Sequence, residues 1–309
     1  MPAHDTVPGK KKEQRLNQQN KSTMKKFIIS SDELKPALKK LGQAISAKSV
    51  LPITTNIYCK VADNKVELIT TDLEITISVV CNAETNKQEP FELLLPYDYM
   101  ANIIALSPHA PFEIEHPSVR KARIICDNEE YAVNSLEKLE DFPKLPKAVK
   151  EKFTMENDIV DLLSKALLTV TKDELRPSMT RVLMDLGKDG FLVSTDAATL
   201  FKQRINCEME VSESIQFSSK MIKAMGGMTE ATLAWNDKMV CIKGGNSTIW
   251  CTRFNDKYPD YGAVIPALKG YEANLEIERS ALADALNKCC ISSALVMQTT
   301  IVLFCDIGI

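Results

Sequence analysis

Long hydrophobic runs are missing from this 309-residue chain. No apolar stretch approaches the ~20 residues that cross a bilayer, so a membrane protein is not expected. Histidine is scarce, and His4, His109 and His116 do not stand at ligand spacing beside a cysteine. The nine cysteines, Cys59, Cys81, Cys126, Cys207, Cys241, Cys251, Cys289, Cys290 and Cys305, include no C-x-x-C pair, which argues against a metal site. Most lie in apolar alternating stretches, where a reduced thiol acts as a small hydrophobe, and a reducing cytoplasm is expected. Catalytic signatures are absent too: there is no G-x-x-x-x-G-K-[ST], G-x-S-x-G, H-E-x-x-H or dinucleotide fingerprint. Gly244-Gly245 falls between two strands rather than at a helix start, which disfavours phosphate cradling. Asp72 and Glu74 alternate along an expected strand and could share a face, but with no second catalytic group they read as surface charge. Neither an enzyme nor a cofactor is expected.

Hydrophobic residues make up 45% of the chain and charged residues 26%, the balance of an ordinary globular protein. The formal net charge of −3 excludes a chain basic all over but leaves room for a local basic surface. Residues 1–23 are a separate zone, with Lys10-Lys11-Lys12 and scarcely any apolar residue. No hydrophobic region follows those lysines, so the segment reads as a disordered basic tail rather than a secretory signal. Met24-Lys25-Lys26-Phe27 opens the first periodic segment.

What is present is a long internal repeat. Leu136-Glu137-Lys138-Leu139-Glu140-Asp141-Phe142-Pro143 returns as Arg253-Phe254-Asn255-Asp256-Lys257-Tyr258-Pro259, with Phe142 and Tyr258 standing 116 residues apart. Thr71-Asp72 and Thr195-Asp196 stand 124 apart, and Leu95-Pro96-Tyr97-Asp98-Tyr99-Met100 returns near Phe217-Ser218-Ser219-Lys220-Met221. A period this long means duplicated domains, since solenoid units repeat every ~20–50 residues. The boundaries fall at 24–146, 147–266 and 267–309. The last span is shorter than one period, so a partial third copy is expected.

Local patterns support an α+β class. In the first copy, Phe27–Ile29 reads as a strand, and Ser31-Asp32-Glu33 caps a helix with Leu34, Leu38, Leu41 and Ile45 on one face. Pro36 is expected in the first turn, where a missing N–H costs nothing. Strands are expected at 57–61, 65–69 and 72–80, the first two joined by a hairpin at Ala62-Asp63-Asn64. A second helix opens at Pro96-Tyr97-Asp98, and strands follow at 112–115, 122–126 and 131–135. The second copy replays this order, with helices opening near Glu156 and Ser218 and strands at 182–186, 191–195, 231–235, 239–243 and 248–253. A third begins with a strand at 275–277, a helix from Ser280 and a strand at 300–304.

Several motifs, taken in order, carry a resemblance. Lys48-Ser49-Val50-Leu51-Pro52-Ile53-Thr54-Thr55-Asn56, Thr70-Thr71-Asp72-Leu73-Glu74, Asp141-Phe142-Pro143 and Tyr258-Pro259-Asp260-Tyr261 with Val264-Ile265-Pro266 resemble the bacterial DNA sliding clamp, the beta subunit of DNA polymerase III. The likeness runs from Met24 to the last residues. It implies the DNA clamp fold: repeated sheet-and-two-helix domains, two complete copies and a partial third, in a subunit that pairs head to tail with a second into a ring around duplex DNA. In that family helices line the hole, sheets form the outer wall, and the ring is a tether that catalyses nothing.

A clamp must hold any DNA sequence and still slide, which calls for positive charge aimed at phosphates without base readout. Lys35, Lys39, Lys40 and Lys48, on and after the first helix, supply such charge, as do Lys220 and Lys223 on the fourth. By the resemblance Lys48 takes the family's basic position before the Leu-Pro turn, and Arg176 matches a family arginine. Asp173, Pro177, Ser178 and Ala105 replace family DNA contacts. The resemblance also implies a pocket for short linear peptides of polymerase, clamp loader and repair proteins, lined by Met179, Thr195, Ala197, Ala198, Leu200, Pro259 and Val264. Ala198 and Thr199 stand where bulkier polar residues are common. Tyr131 matches the family's subunit edge and Ile291 an apolar contact on the third domain. With the rest of that domain lacking, a chain of this length is expected not to close a ring by itself. The alternative reading is an incomplete clamp paralogue that binds partner peptides without closing a ring.

Overall fold

In the computed structural model, which describes residues 24–46, 51–86, 88–107, 109–118, 120–134, 138–147, 151–187, 189–206, 213–265 and 277–293, one order of elements occurs twice. The first run is β1 (Lys25–Ile29), α1 (Ser31–Leu41), β2 (Asn56–Ala62), β3 (Lys65–Thr71), β4 (Ile75–Asn82), β5 (Phe91–Pro96), α2 (Tyr97–Leu106), β6 (Phe112–Ser118), β7 (Lys121–Cys126) and β8 (Glu129–Asn134). The second is β9 (Glu151–Glu156), α3 (Asn157–Ala166), β10 (Arg181–Leu186), β11 (Gly190–Thr195), β12 (Leu200–Ile205), β13 (Glu213–Ser218), α4 (Ser219–Ala224), β14 (Glu230–Trp235), β15 (Met239–Gly244) and β16 (Ser247–Thr252). A further helix, α5, spans Arg279–Ser293. Residues up to Pro259 form one compact unit and those from Asp260 another.

Strand pairing is antiparallel throughout the described residues and follows the same plan in both runs. One sheet orders β1-β6-β7-β8, and another β12-β11-β10-β13. The remaining strands form a single eight-stranded sheet, β5-β2-β3-β4-β16-β15-β14-β9, in which the two runs meet edge to edge. The joint is β4 against β16, with Ile77 opposite Ile249 and Thr76 opposite Trp250. Both isoleucines are fully buried, so the seam is part of the core rather than a surface contact.

Local sequence explains the turns and helices. Asp63 and Asn64 both have positive φ, as do Asp127 and Asn128, the backbone that two-residue hairpins require and that Asn and Asp tolerate. In α1, Leu34, Ala37, Leu38 and Leu41 are buried and Lys35 and Lys39 exposed, a single apolar stripe at helical spacing. The helix starts one residue earlier than the sequence indicates: Ser30 is the N-cap, its hydroxyl accepting from Glu33 N at 3.2 Å. Pro36 therefore lies inside the helix rather than in its first turn, on the exposed side, where its ring has no N–H to give the carbonyl one turn back. The strand expected from Asp72 begins at Ile75, because Asp72 is committed to a turn. Strands β5, β9, β12 and β13 were not foreseen.

Phe142, the first of the two aromatic-proline positions, closes its run by inserting against Tyr58, ring centroids 4.9 Å apart, in a small apolar cluster with Ile53, Ile69 and Leu94. The strands expected at 275–277 and 300–304 lie wholly or largely outside the described residues.

Candidate functional site

The basic helix is built outward from its core. Burying the leucine stripe of α1 leaves Lys35 and Lys39 exposed, and neither makes an ion pair among the described residues. Glu33 is tied down, its carboxylate accepting from Asn82 N and Asn82 Nδ2 at 3.2 and 3.0 Å. Lys40 turns the other way, donating to Ser247 Oγ at 3.2 Å across the seam, and burial pulls its pKa down. Lys48 lies outside the described residues. Lys220, in the first turn of α4, is bound to Asp72 at 2.5 Å, with the Asp72 side chain almost fully buried. Burial lowers the Lys220 pKa, but the bond to Asp72 outweighs it and the net shift is upward. Lys223 is exposed. Arg176 is exposed in a loop and lies 3.7 Å from Asp173. The expected charges thus separate into open ones (Lys35, Lys39, Lys223) and engaged ones (Lys40, Lys220, Arg176).

The candidate pocket is organised by a turn. Thr195 Oγ1 donates to Thr199 O at 2.7 Å and accepts from Ala197 N at 3.1 Å. Asp196 Oδ1 accepts from Ala198 N at 2.9 Å and Thr199 N at 2.6 Å, and these bonds hold its pKa below the usual carboxylate value. The turn forces Ala197 to a φ of +76° and leaves Ala197 and Ala198 exposed and Leu200 half-buried at the head of β12. The same bonds occur at Thr71-Asp72-Leu73-Glu74-Ile75: Thr71 Oγ1 to Ile75 O at 3.1 Å, Leu73 N to Thr71 Oγ1 at 3.1 Å, and Asp72 Oδ1 accepting from Glu74 N and Ile75 N. Leu73 also has a φ of +76°.

Residues 253–259 run across this region as a strap. Arg181 stacks on the Phe254 ring at 3.6 Å from its centroid and pairs with Asp256 at 2.5 Å, while Gln216 Nε2 donates to Asp256 O. Tyr258 Oη donates to Arg181 O at 3.5 Å, and burial raises its pKa to about 12. Met179 precedes Arg181 on a short turn and is anchored through its carbonyl by Thr171 N at 3.1 Å. The strap therefore carries Pro259 to the side of the fold that holds Met179 and the Thr195 turn. Val264 belongs to the second unit and is exposed. Arg181 escaped the sequence reading. Its signal was a guanidinium opening a strand whose next three residues, Val182, Leu183 and Met184, are all apolar.

Tyr131, on β8, meets Tyr99 edge to face at 6.5 Å and donates to the Glu129 carboxylate. Ile291 falls within α5, and its side chain lies outside the described residues. Among the described residues no group of three or more His, Cys, Asp or Glu is placed to hold a metal ion. Cys59, Cys81, Cys126, Cys241 and Cys251 are free and buried. Burial pushes the Cys59, Cys81 and Cys251 thiols well up, making them poor nucleophiles at neutral pH. No helix among the described residues is long and apolar enough to cross a membrane.

Residues 25–146 match the family model of the DNA polymerase III beta subunit, N-terminal domain. The chain is 23% identical over 262 residues to the beta sliding clamp of Chlamydia muridarum, covering 82% of this chain and 71% of the relative. The Chlamydia trachomatis beta sliding clamp is 22% identical over 262 residues, and there the chain spans 62% of the relative. Among solved structures, the Bacillus subtilis DNA polymerase sliding clamp superposes with a TM-score of 0.69 at 20% identity, covering 79% of this chain and 68% of that one. The Helicobacter pylori beta clamp bound to a DNA ligase peptide superposes with a TM-score of 0.74 at 16% identity, covering 88% and 76%. With these likenesses in hand, residues 25–146 match the DNA polymerase III beta subunit, N-terminal domain, and the chain has the fold of the bacterial DNA sliding clamps.

Proposed function

We propose that this chain is a DNA polymerase processivity factor: a sliding clamp that surrounds duplex DNA without reading its sequence and tethers polymerase and other replication and repair proteins by short peptides. The observation that carries the reading is the seam between β4 and β16, where two copies of one architecture continue a single sheet. A wall that grows by adding equivalent edges is what an encircling protein needs. In this reading residues 24–146 and 147–266 are the first and second clamp domains, 267–309 belongs to a third, and 1–23 is a basic tail. Lys35 and Lys39, with Lys48, Arg176 and Lys220, supply the phosphate-facing charge. Lys220 does so with its bond to Asp72 intact, its ammonium keeping further N–H donors.

Partner peptides lie against Met179, Thr195, Ala197, Ala198, Leu200 and Pro259, extended, with one or two apolar anchors. Tyr131 and Ile291 serve contacts between subunits, a homodimer being the family's assembly. The chain catalyses no reaction, requires no cofactor, and works in the cytoplasm at the nucleoid.

The test is retention on circular DNA after treatment with a clamp loader, compared with the same DNA linearised. A topological tether stays on the circle and slides off the cut ends. Replacing Lys35 and Lys39 by alanine is expected to flatten the dependence of log affinity on log salt by about one unit per lysine. Equal retention on both forms would sink the reading. Peptide binding without retention on circles would favour the paralogue that engages partners but closes no ring.

A further inference from the structure

The strap that ends the second run is gripped by a side chain, and its counterpart in the first run is not. Strand register sets the equivalence: Arg181 faces Ser218 on β13 as Asn56 faces Pro96 on β5. Asn56 is buried and folds back on its own turn, Nδ2 donating to Ile53 O at 3.2 Å. Lys138 and Glu140, just before Phe142, are exposed and make no ion pair among the described residues. Phe254 and Asp256 occupy those two places 116 positions later. There Arg181 stacks on the Phe254 ring and pairs with Asp256 at 2.5 Å, and only 14% of its side chain stays exposed. A stack and an ion pair on one planar guanidinium fix angle as well as distance, which an ammonium could not do.

What this grip holds in place is Tyr258. Pairing of β10 with β11 begins at Leu183 opposite Val193, so the ladder stops short of Arg181 and Thr195, which the same register sets opposite each other. The Tyr258 hydroxyl stands in that gap, donating to Arg181 O at 3.5 Å and accepting from the Thr195 N–H. A phenol inserted between two strand ends keeps them from closing. Met179 lies two residues before Arg181, and Pro259 follows Tyr258 directly. Both ends of the gap and the residue beyond the wedge therefore belong to the candidate peptide pocket.

We propose that Arg181 is a positioning residue for the peptide pocket: by locking residues 254–259 across β10 it keeps Tyr258 between the strand ends and Pro259 in place before a peptide arrives. The inference rests on the pocket reading given above and adds what makes that pocket ready. Arg181 is engaged by Phe254 and Asp256 and nearly buried, so it acts through the strap and not on the peptide. Its effect is on the population of the competent pocket, and a ligand's affinity falls in proportion to that population. The lock is found only in the second run, whose Thr-Asp turn leads into an edge strand among the described residues, whereas the first run's turn leads into the seam. Arg253 ties the head of the strap to Glu213 at 2.9 Å, so loss of Arg181 loosens residues 254–259 without detaching them.

The probe is a fluorescent copy of the DNA ligase peptide bound in the Helicobacter pylori structure, titrated into the full chain. Arg181→Ala should weaken binding by about tenfold, as expected if the competent pocket is about one-tenth populated. The loss should fall on the association rate and leave dissociation nearly unchanged, whereas a residue touching the peptide would change dissociation. Asp256→Asn should weaken binding less, and R181A/D256N should bind no worse than R181A, because both changes remove one contact. Arg181→Lys, which keeps the charge and loses the stack, should fall between parent and R181A. Asn56→Ala, the equivalent change in the first run, should leave peptide affinity unaltered. Trypsin reports on the strap itself: cleavage after the exposed Lys257 should be faster in R181A than in the parent. Circular dichroism checks folding, and if R181A does not fold, D256N and R181K carry the same comparison. A parent chain that binds no peptide sinks the pocket reading and this inference with it. A parent that binds, with variants of Arg181 and Asp256 that bind equally well or lose affinity only through faster dissociation, overturns the lock and leaves the pocket standing.

Discussion

The Thr-Asp turn at residues 71–75 and its copy at 195–199 have the same hydrogen bonds and the same positive φ at their third residue, yet they do different work. Turn geometry is therefore local: a threonine hydroxyl and one carboxylate oxygen satisfy the backbone whatever lies beyond. The difference is in the second carboxylate oxygen. Asp72 Oδ2 binds Lys220 at 2.5 Å and the strand that follows is paired with β16, whereas no bond to Asp196 Oδ2 is made among the described residues and the strand that follows is an edge. One copy is a joint, and the other borders a strand that is an edge among the described residues. That places the candidate peptide pocket at the very element which, in the first copy, is consumed by joining one copy to the next.

The joined copy breaks most severely in its core. Ile77→Ala removes a fully buried side chain facing Ile249 across the seam and should cost about 2–5 kcal/mol, read as a lower urea midpoint. The equivalent change on β12, Phe201→Ala, touches a half-buried edge residue and should cost clearly less. Equal losses would mean that the seam is not the stabilising difference between the two copies. Asp72→Asn keeps the turn acceptor and removes only the ion pair. Because Lys220 is 45% exposed, solvent screening limits the loss to about 1 kcal/mol. A loss above that of Ile77→Ala would show the latch, rather than the apolar seam, to hold the copies together.

The repeat was legible because its markers are polar or cyclic residues with local jobs: Thr71-Asp72 and Thr195-Asp196 build turns, and Phe142-Pro143 and Tyr258-Pro259 close runs. Helix α1 was legible because its leucines keep a single stripe. The missed strands hide their periodicity for different reasons. β5, Phe-Glu-Leu-Leu-Leu-Pro, is an apolar run without alternation, and β12, Leu-Phe-Lys-Gln-Arg-Ile, is a polar edge that buries only its last residue. Within the site, exposure of Lys35 and Lys39 follows from helical spacing. The bonds of Lys220 to Asp72 and of Arg181 to Asp256 join residues 148 and 75 positions apart, and no local pattern encodes them.

The smallest effect concerns the copy without a latch, and its sign follows from linkage. Backbone bonds from Thr199 and Ala198 hold the folded-state pKa of Asp196 below its ordinary value. An acid with a lowered folded pKa contributes stability that is present above the unfolded value, about 3.9, and is lost as pH falls through the folded one. Asp196→Asn keeps an oxygen acceptor but no titrating group. Its stability should fall slightly short of the parent's at pH 7, and the gap should narrow as pH falls below about 3.9 toward the lowered folded-state pKa and the parent's carboxylate takes up its proton. Urea midpoints across that range test this directly. A gap that stays constant with pH would mean that the turn depends on the shape of the side chain and not on its charge. In that case the carboxylate at 196, unlike the one at 72, would have no electrostatic part in holding its turn.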